Sequence, residues 1–239
     1  MRRYLDMLVY GGERRVTPGA SPPVWRRLFH IVAGSSIPLA AIFIPETPMV
    51  WVLVVLAIQG IVLDLVRFRV GWLNSLFMHW LAPLLKEDEE VHITGATYML
   101  ISALIVFVLY GKEVGIPVMF FLSLGDPAAA IVGRRMPGPR IMGKSPGGTA
   151  AFIAVGCAAV AVLVAADGIE HHWALWVGAG VAGVVELISL PPDDNMAIPL
   201  LAGTAMFLLG VYIPPSPGVR GSPYLKLDLV WPFDRLRTN

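Results

Sequence analysis

Cysteine is nearly absent. A lone Cys157 excludes a disulfide scaffold and a cysteine-based zinc site, and it reads as a small apolar filler. Charge is scarce as well. Charged residues make up 15% of the 239 residues, against about 25% in ordinary soluble domains. The 18 Lys and Arg nearly balance the 17 Asp and Glu, for a net charge of +1. That balance excludes a nucleic-acid binder working through bulk charge, and low charge with high hydrophobicity excludes disorder. What the chain has in plenty is apolar residues, 56% of the total, bunched into long runs. Those runs mark an integral membrane protein.

A membrane-crossing helix needs about 17–25 mostly apolar residues. The seven candidate segments are about 28–45, 48–66, 96–110, 114–133, 149–166, 173–190 and 195–213. The expected fold is therefore all-α: a polytopic bundle of about seven transmembrane helices. Residues 1–27 form a cytoplasmic segment, 28–213 the multi-span domain, and 214–239 a tail placed at the interface by Trp231-Pro232-Phe233. Residues 1–27 carry Arg2, Arg3, Arg14, Arg15, Arg26 and Arg27 and are too polar for a cleaved leader. With the N-terminus inside, the inner loops also hold Arg67, Arg69, Lys86, Arg134, Arg135, Arg140 and Lys144. The outer loops before the last span hold Lys112 alone, as the positive-inside rule requires. Residues 71–95 place Trp72, Leu76 and Trp80 at helical spacing, which predicts an interfacial amphipathic helix. A re-entrant hairpin is the rival.

The polar clusters all fall on that inner face: Arg26-Arg27-Leu-Phe-His30, Glu87 to Glu90, the loop Arg134 to Thr149, and Asp193-Asp194-Asn195. A carrier more often strings ionisable groups along a path through its spans. Gathering them at one interface suits an enzyme that faces the cytosol.

Asp126 lies inside an apolar segment, where a charged residue marks function by default. Pro127 beside it suggests a broken helix lining a wet cavity. The plainer alternative is a structural Asp paired with Arg134. Gly138 to Ser145 matches the phosphate-loop pattern G-x-x-x-x-G-K-[ST]. The strand and βαβ context that motif needs is absent here. Backbone N–H groups at a helix start, with Lys144 and flanking Arg, still suit a polyphosphate, and equally an anionic lipid headgroup. Asp193, Asp194 and Asn195, two acids and an amide, offer hard oxygen ligands for Mg²⁺, with Glu186 a turn or two before them; a turn capped by Asp194 or Asn195 is the alternative. Asp64 and Arg67, three apart, are expected to pair. Gly178, Gly180 and Gly183 are expected to serve helix packing.

The combination resembles the CTP-dependent polyprenol kinase family of membrane proteins, which includes dolichol kinases, phytol kinases and a CTP-dependent diacylglycerol kinase. Five pieces carry the resemblance in order. They are Arg26-Arg27-Leu-Phe-His30, Glu90-Val-His-Ile-Thr94-Gly95-Ala96-Thr97, Gly125-Asp126-Pro127 to Gly133, Gly143-Lys144-Ser145, and Asp194-Asn195-Met-Ala-Ile-Pro199. The family commonly has an acid within G-K-S-x-E-G, where this chain has Gly147. The resemblance implies CTP as phosphoryl donor and a membrane isoprenoid alcohol as acceptor. Arg26, Arg27, Gly133, Arg134, Gly143, Lys144 and Ser145 would then bind nucleotide. Asp126, Asp194 and Asn195 would hold Mg²⁺, Asp126 with Glu186 or Asp194 would serve catalysis, and His30 and Glu90 would be accessory. Diacylglycerol as acceptor, a cytidylyltransferase making a CDP-lipid, and a membrane transporter are the competing readings.

Overall fold

The computed structural model describes residues 24–81, 84–85 and 87–211. Most of the expected N-terminal segment, the expected interfacial tail and Lys86 lie outside the described residues. Those residues are mainly helical, with no strand among them beyond one isolated bridge, Ile141 to Lys144. The helices are α1 (Val24–Phe43), α2 (Glu46–Arg69), α3 (Gly71–Leu81), α4 (Gly95–Tyr110), α5 (Lys112–Phe120), α6 (Asp126–Arg135), α7 (Pro146–Ala165), α8 (Trp173–Ile188) and α9 (Asp194–Leu208). A 3₁₀ turn covers Glu87–Glu90, and a π-helical turn, Phe121–Gly125, joins α5 to α6.

Each of the seven apolar segments is largely helical where it falls among the described residues. Among the described residues, three helices are long and apolar enough to cross a membrane: Glu46–Arg69, the continuous Lys112–Arg135, and Pro146–Ala165. Gly95–Tyr110, Trp173–Ile188 and Asp194–Leu208 are shorter apolar helices. The α2 helix explains itself from its ends. Glu46 opens it and Arg67 and Arg69 close it, complementing the helix dipole. Between them, few residues are buried, Met49, Leu53, Ala57 and Asp64 among them. Trp51, Val55, Ile58, Val62 and Leu65 are all exposed, an outward apolar face that suits lipid rather than water.

The core forms where α5 and the π-turn run through the middle of the bundle. Phe107, Phe121, Phe152, Ile198 and Met206 are fully buried there. Glycines let the neighbours close in. A Cβ at Gly178 would overlap Met206, and one at Gly183 would lie 2.4 Å from Ile153, whereas Gly180 faces open space. Two of the three expected packing glycines therefore pack.

The broken helix expected at Pro127 is not found: residues 112–135 run on as one rod. Proline lacks an N–H, and its ring crowds the carbonyl four residues back, that of Ser123. The chain meets this by widening one turn into the π form at 121–125 instead of breaking, and single π-turns recur at functional sites. Gly125 then allows Phe152 of α7 to lie against the backbone, since a Cβ there would stand 2.8 Å from the ring. On the other side Gly34 of α1 sits against Ser123, and Ser35 and Ser123 hydroxyls hydrogen-bond at 2.9 Å.

The predicted helix after residue 71 is present as α3, with Trp72, Leu76 and Trp80 exposed on one side. Its opposite side carries Asn74 and Phe77 against the Arg67 guanidinium.

Candidate active site

Lys144 is the centre. It follows a two-residue turn in which Ile141 and Lys144 exchange both backbone hydrogen bonds, at 2.8 and 2.9 Å. Met142 and Gly143 both have positive φ, 50° and 84°, the tight-hairpin conformation that favours glycine. The residues matching a phosphate-loop pattern are thus a β-turn and not a strand-loop-helix cradle. Gly143 provides the turn. Ser145 then caps α7, its hydroxyl accepting from Gly148 N at 3.0 Å, and Pro146 takes the first helical position where its missing N–H costs nothing.

So presented, the Lys144 ammonium sits 2.7 Å from Asp194 Oδ2 and 3.1 Å from Glu186 Oε1. Its side chain is 24% exposed, that of Asp194 25%, and that of Glu186 6%. Burial alone would lower the Lys144 pKa. The adjacent Asp194 and Glu186 carboxylates outweigh it, and the net direction is upward. Thr149, one turn into α7, donates from Oγ1 to Glu186 Oε2 at 3.4 Å.

Asp126 completes an acidic trio, close enough to act electrostatically on both Glu186 and Asp194. It is half-buried, and its carboxylate accepts no hydrogen bond from the described residues. The alternative pairing with Arg134 is not formed, because Arg134 Nε donates instead to the Ala130 carbonyl at 2.9 Å. Arg27 interacts electrostatically with Arg134, Arg26 and Asp126. The start of α1 and the end of α6 therefore bring three guanidiniums to the same neighbourhood. His30 holds α1 there, with Nε2 3.4 Å from the Leu122 carbonyl of the π-turn.

The other expected residues have backbone or packing roles. A Cβ at Gly133 would lie 2.7 Å from Ser145 Oγ, so glycine lets α6 meet the start of α7. A Cβ at Gly147 would run into Met136, so the residue standing where the resembled family has an acid makes room for a methionine. Met136, Pro137, Pro139 and Pro146 line a recess of 390 Å³ beside it. Glu90 is exposed, and its backbone carbonyl accepts from Arg67. The cap of α9 is Asp193, not Asp194 or Asn195: its Oδ1 accepts from Asn195 N at 2.9 Å and from Asn195 Nδ2 at 2.6 Å. That frees Asp194 for Lys144 and commits the Asn195 amide to its neighbour.

Sequence reasoning missed Thr149 and the cap by Asp193. It also missed the reach of Arg67. The Asp64–Arg67 pair forms as expected, at 2.7 Å, but it also organises the whole acidic turn. A separate recess of 530 Å³, lined by Glu113, Asp167, Glu170 and His171, lies away from Lys144.

Mg²⁺ is held by one or two carboxylates together with substrate phosphates more often than by an all-protein cage. No three His, Cys, Asp or Glu among the described residues are gathered to hold a metal ion on their own. Asp126 and Asp194 nevertheless supply the hard oxygen chemistry that such a shared site takes, so the donor set fits while a complete cage does not.

No protein-family model matches the chain, and no solved structure does. Two curated proteins are similar to it. The CTP-dependent diacylglycerol kinase 1 of Eremothecium gossypii is 30% identical over 179 residues, covering 64% of this chain and 56% of that protein. The CTP-dependent diacylglycerol kinase 1 of Saccharomyces cerevisiae is 28% identical over 87 residues, covering 36% of this chain and 30% of that protein. The chain spans about half the length, or less, of the curated relatives it matches.

Proposed function

We propose that this chain is a CTP-dependent lipid kinase of the inner membrane face, moving the γ-phosphoryl group of CTP to the hydroxyl of a membrane lipid. One observation carries the reading. Arg27, Asp126, Lys144, Glu186 and Asp194 come from separate stretches of an apolar bundle and converge on one polar cluster. The names of the two relatives support the donor and the reaction class. They also favour diacylglycerol as the acceptor to try first, with an isoprenoid alcohol second. The four shorter or more polar helices would complete a seven-span bundle around the cluster.

Phosphoryl transfer is mainly positioning and charge neutralisation. A lipid alcohol keeps its tail in the bilayer and presents its oxygen at the polar rim. Arg26, Arg27 and Arg134 would neutralise the triphosphate. Lys144, kept charged and aimed by two carboxylates, would face the transferring group. The alcohol oxygen bonds to the γ-phosphorus as the bridge from that phosphorus to the β-phosphate oxygen breaks. CDP leaves, and the hydroxyl proton passes to a carboxylate. Asp126 would take that proton, as the absence of a described donor on its carboxylate supports, and Glu186 would take it where Asp126 holds the metal. Mg²⁺, when held by Asp126 and Asp194, would neutralise phosphate charge.

The test uses the purified chain in detergent with Mg²⁺, diacylglycerol and a series of prenols. CTP is labelled at the α or the γ position in separate reactions. Label from the γ position appearing in a lipid supports the kinase. Label from the α position appearing instead would make it a cytidylyltransferase. No label in any lipid, with a cooperative melt confirming folded protein, would overturn the proposal.

A further inference from the structure

We propose that the buried Asp64–Arg67 pair is a positioning element for the start of α9, acting through Glu89 and Gly95. The functional meaning rests on the reading of that end as the active site; the physical linkage does not.

Arg67 is fully buried and Asp64 2% exposed. Guanidinium has five N–H donors, and the structure supplies an acceptor for each. Nε donates to Asp64 Oδ1, Nη1 to Asn74 Oδ1 and the Glu90 carbonyl, and Nη2 to the Glu89 and His92 carbonyls, over 2.6 to 3.3 Å. The rings of Phe68 and Phe77 cover it at 4.3 and 4.8 Å. Asp64 Oδ2 accepts from Thr94 N at 3.0 Å and from its hydroxyl at 3.3 Å. A buried ion pair is weak evidence for stability, since apolar residues of like volume often do as well. An apolar pair, however, has no means of gripping three carbonyls of a polar turn. The feature unique to this pair is that it fixes residues 89–94.

That turn leads directly to the site. Glu89 is 6% exposed, and its Oε1 accepts from Gly95 N at 2.8 Å. Gly95 opens α4, and it has no room to spare. A Cβ there would lie 2.6 Å from Asn195 Nδ2 and 3.1 Å from Glu89 Oε1. Asn195 is fixed on its far side by Ser102, whose hydroxyl donates to the Asn195 carbonyl at 2.7 Å. Asn195 is also the neighbour of Asp194, which holds Lys144. The end of α2, the acidic turn, the start of α4 and the start of α9 therefore form one unbroken run of buried contacts. In it Arg67 acts only through other residues.

Truncating Arg67 would take a donor from each of five acceptors at once and unfold the region, so the test is made further along. Full-length Glu89→Ala, Glu89→Gln and Gly95→Ala are compared by hydrogen–deuterium exchange and by turnover. Glu89→Ala and Gly95→Ala should each speed exchange of the Asn195, Met196 and Ala197 amides about tenfold, the first by losing the Glu89–Gly95 hydrogen bond, the second by crowding Asn195 with a new methyl. They should lower kcat by about the same factor while KM for CTP changes less than about twofold. Glu89→Gln should stay closer to the wild type than Glu89→Ala in both, because its amide oxygen still accepts from Gly95. Unchanged exchange at 195–197 in Glu89→Ala and Gly95→Ala would overturn the inference. So would Glu89→Gln moving as far as Glu89→Ala. Should the wild type phosphorylate no lipid, the kinase reading falls, while the exchange result still decides this linkage.

Discussion

Replacing Lys144 by methionine keeps most of the length of the side chain and removes its charge. Glu186 and Asp194 would then face each other, with Asp126 nearby, and no ammonium between them. Exposed pairs are worth about 0.2–1 kcal/mol, and breaking a fully buried pair costs about 3–5 kcal/mol. With Glu186 buried and the other two partners a quarter exposed, the loss should be about 2 kcal/mol, between these limits. For a chain of this size that is about 4–8 °C in apparent melting temperature, read by a thermal-shift assay in detergent. Adding Glu186→Gln to Lys144→Met removes one stranded charge and should recover most of that stability. Turnover should stay lost in the double variant, since the proposed reading has Lys144 face the transferring phosphate. A Lys144→Met protein as stable as the wild type would refute the argument, as would a double variant no better than the single one. The pH dependence has a definite sign. The folded Lys144 pKa is raised, so its pairing contributes fully below the unfolded value of about 10.4 and is lost as pH rises through the folded value. Stability traced to Lys144 by comparison with Lys144→Met should therefore be flat between about pH 7 and pH 9.

Two further outcomes follow from named contacts. Asp126→Asn should lower kcat by about 10²–10⁴, the range for a general acid or base, with the melting temperature nearly unchanged because no described donor is abandoned; a collapse of folding instead would make Asp126 structural. Gly125→Ala places a methyl 2.8 Å from the buried Phe152 ring and should cost about 1–3 kcal/mol by overpacking; Gly125→Ala with Phe152→Leu should melt higher than Gly125→Ala alone, and failure to do so would place the strain elsewhere.

The helices were legible because apolar runs of fixed length leave few alternatives. Asp126, Lys144, Glu186 and Asp194 were legible as isolated charges at the ends or in the middle of such runs. Their mutual arrangement was not. Nothing in Pro191-Pro192-Asp193-Asp194-Asn195 tells which acid caps α9, because all three polar side chains suit that position. Only the three-dimensional placement of Lys144 selects Asp194 for the ion pair and leaves Asp193 to cap. Pro127 likewise announced a disturbance but not its form. A helix break and a widened turn both satisfy a missing N–H, and the packing of Gly34, Ser35 and Phe152 around 123–125 accompanies the second. Arg67 was read as one half of a local pair because sequence spacing reveals partners on the same helix, not carbonyls more than twenty residues away.

The widened turn at 121–125 has one more consequence. It is equivalent to a single residue slipped into an otherwise regular rod, and one residue is worth about 100° of rotation in an α-helix. Everything after it, Asp126 included, is swung by that angle relative to the face that Val114, Val118 and Phe121 present to the core. Excising Leu124 would restore the ordinary phase and turn the Asp126 carboxylate out of register with Glu186 and Asp194, leaving every side chain of the cluster present and the cluster dispersed.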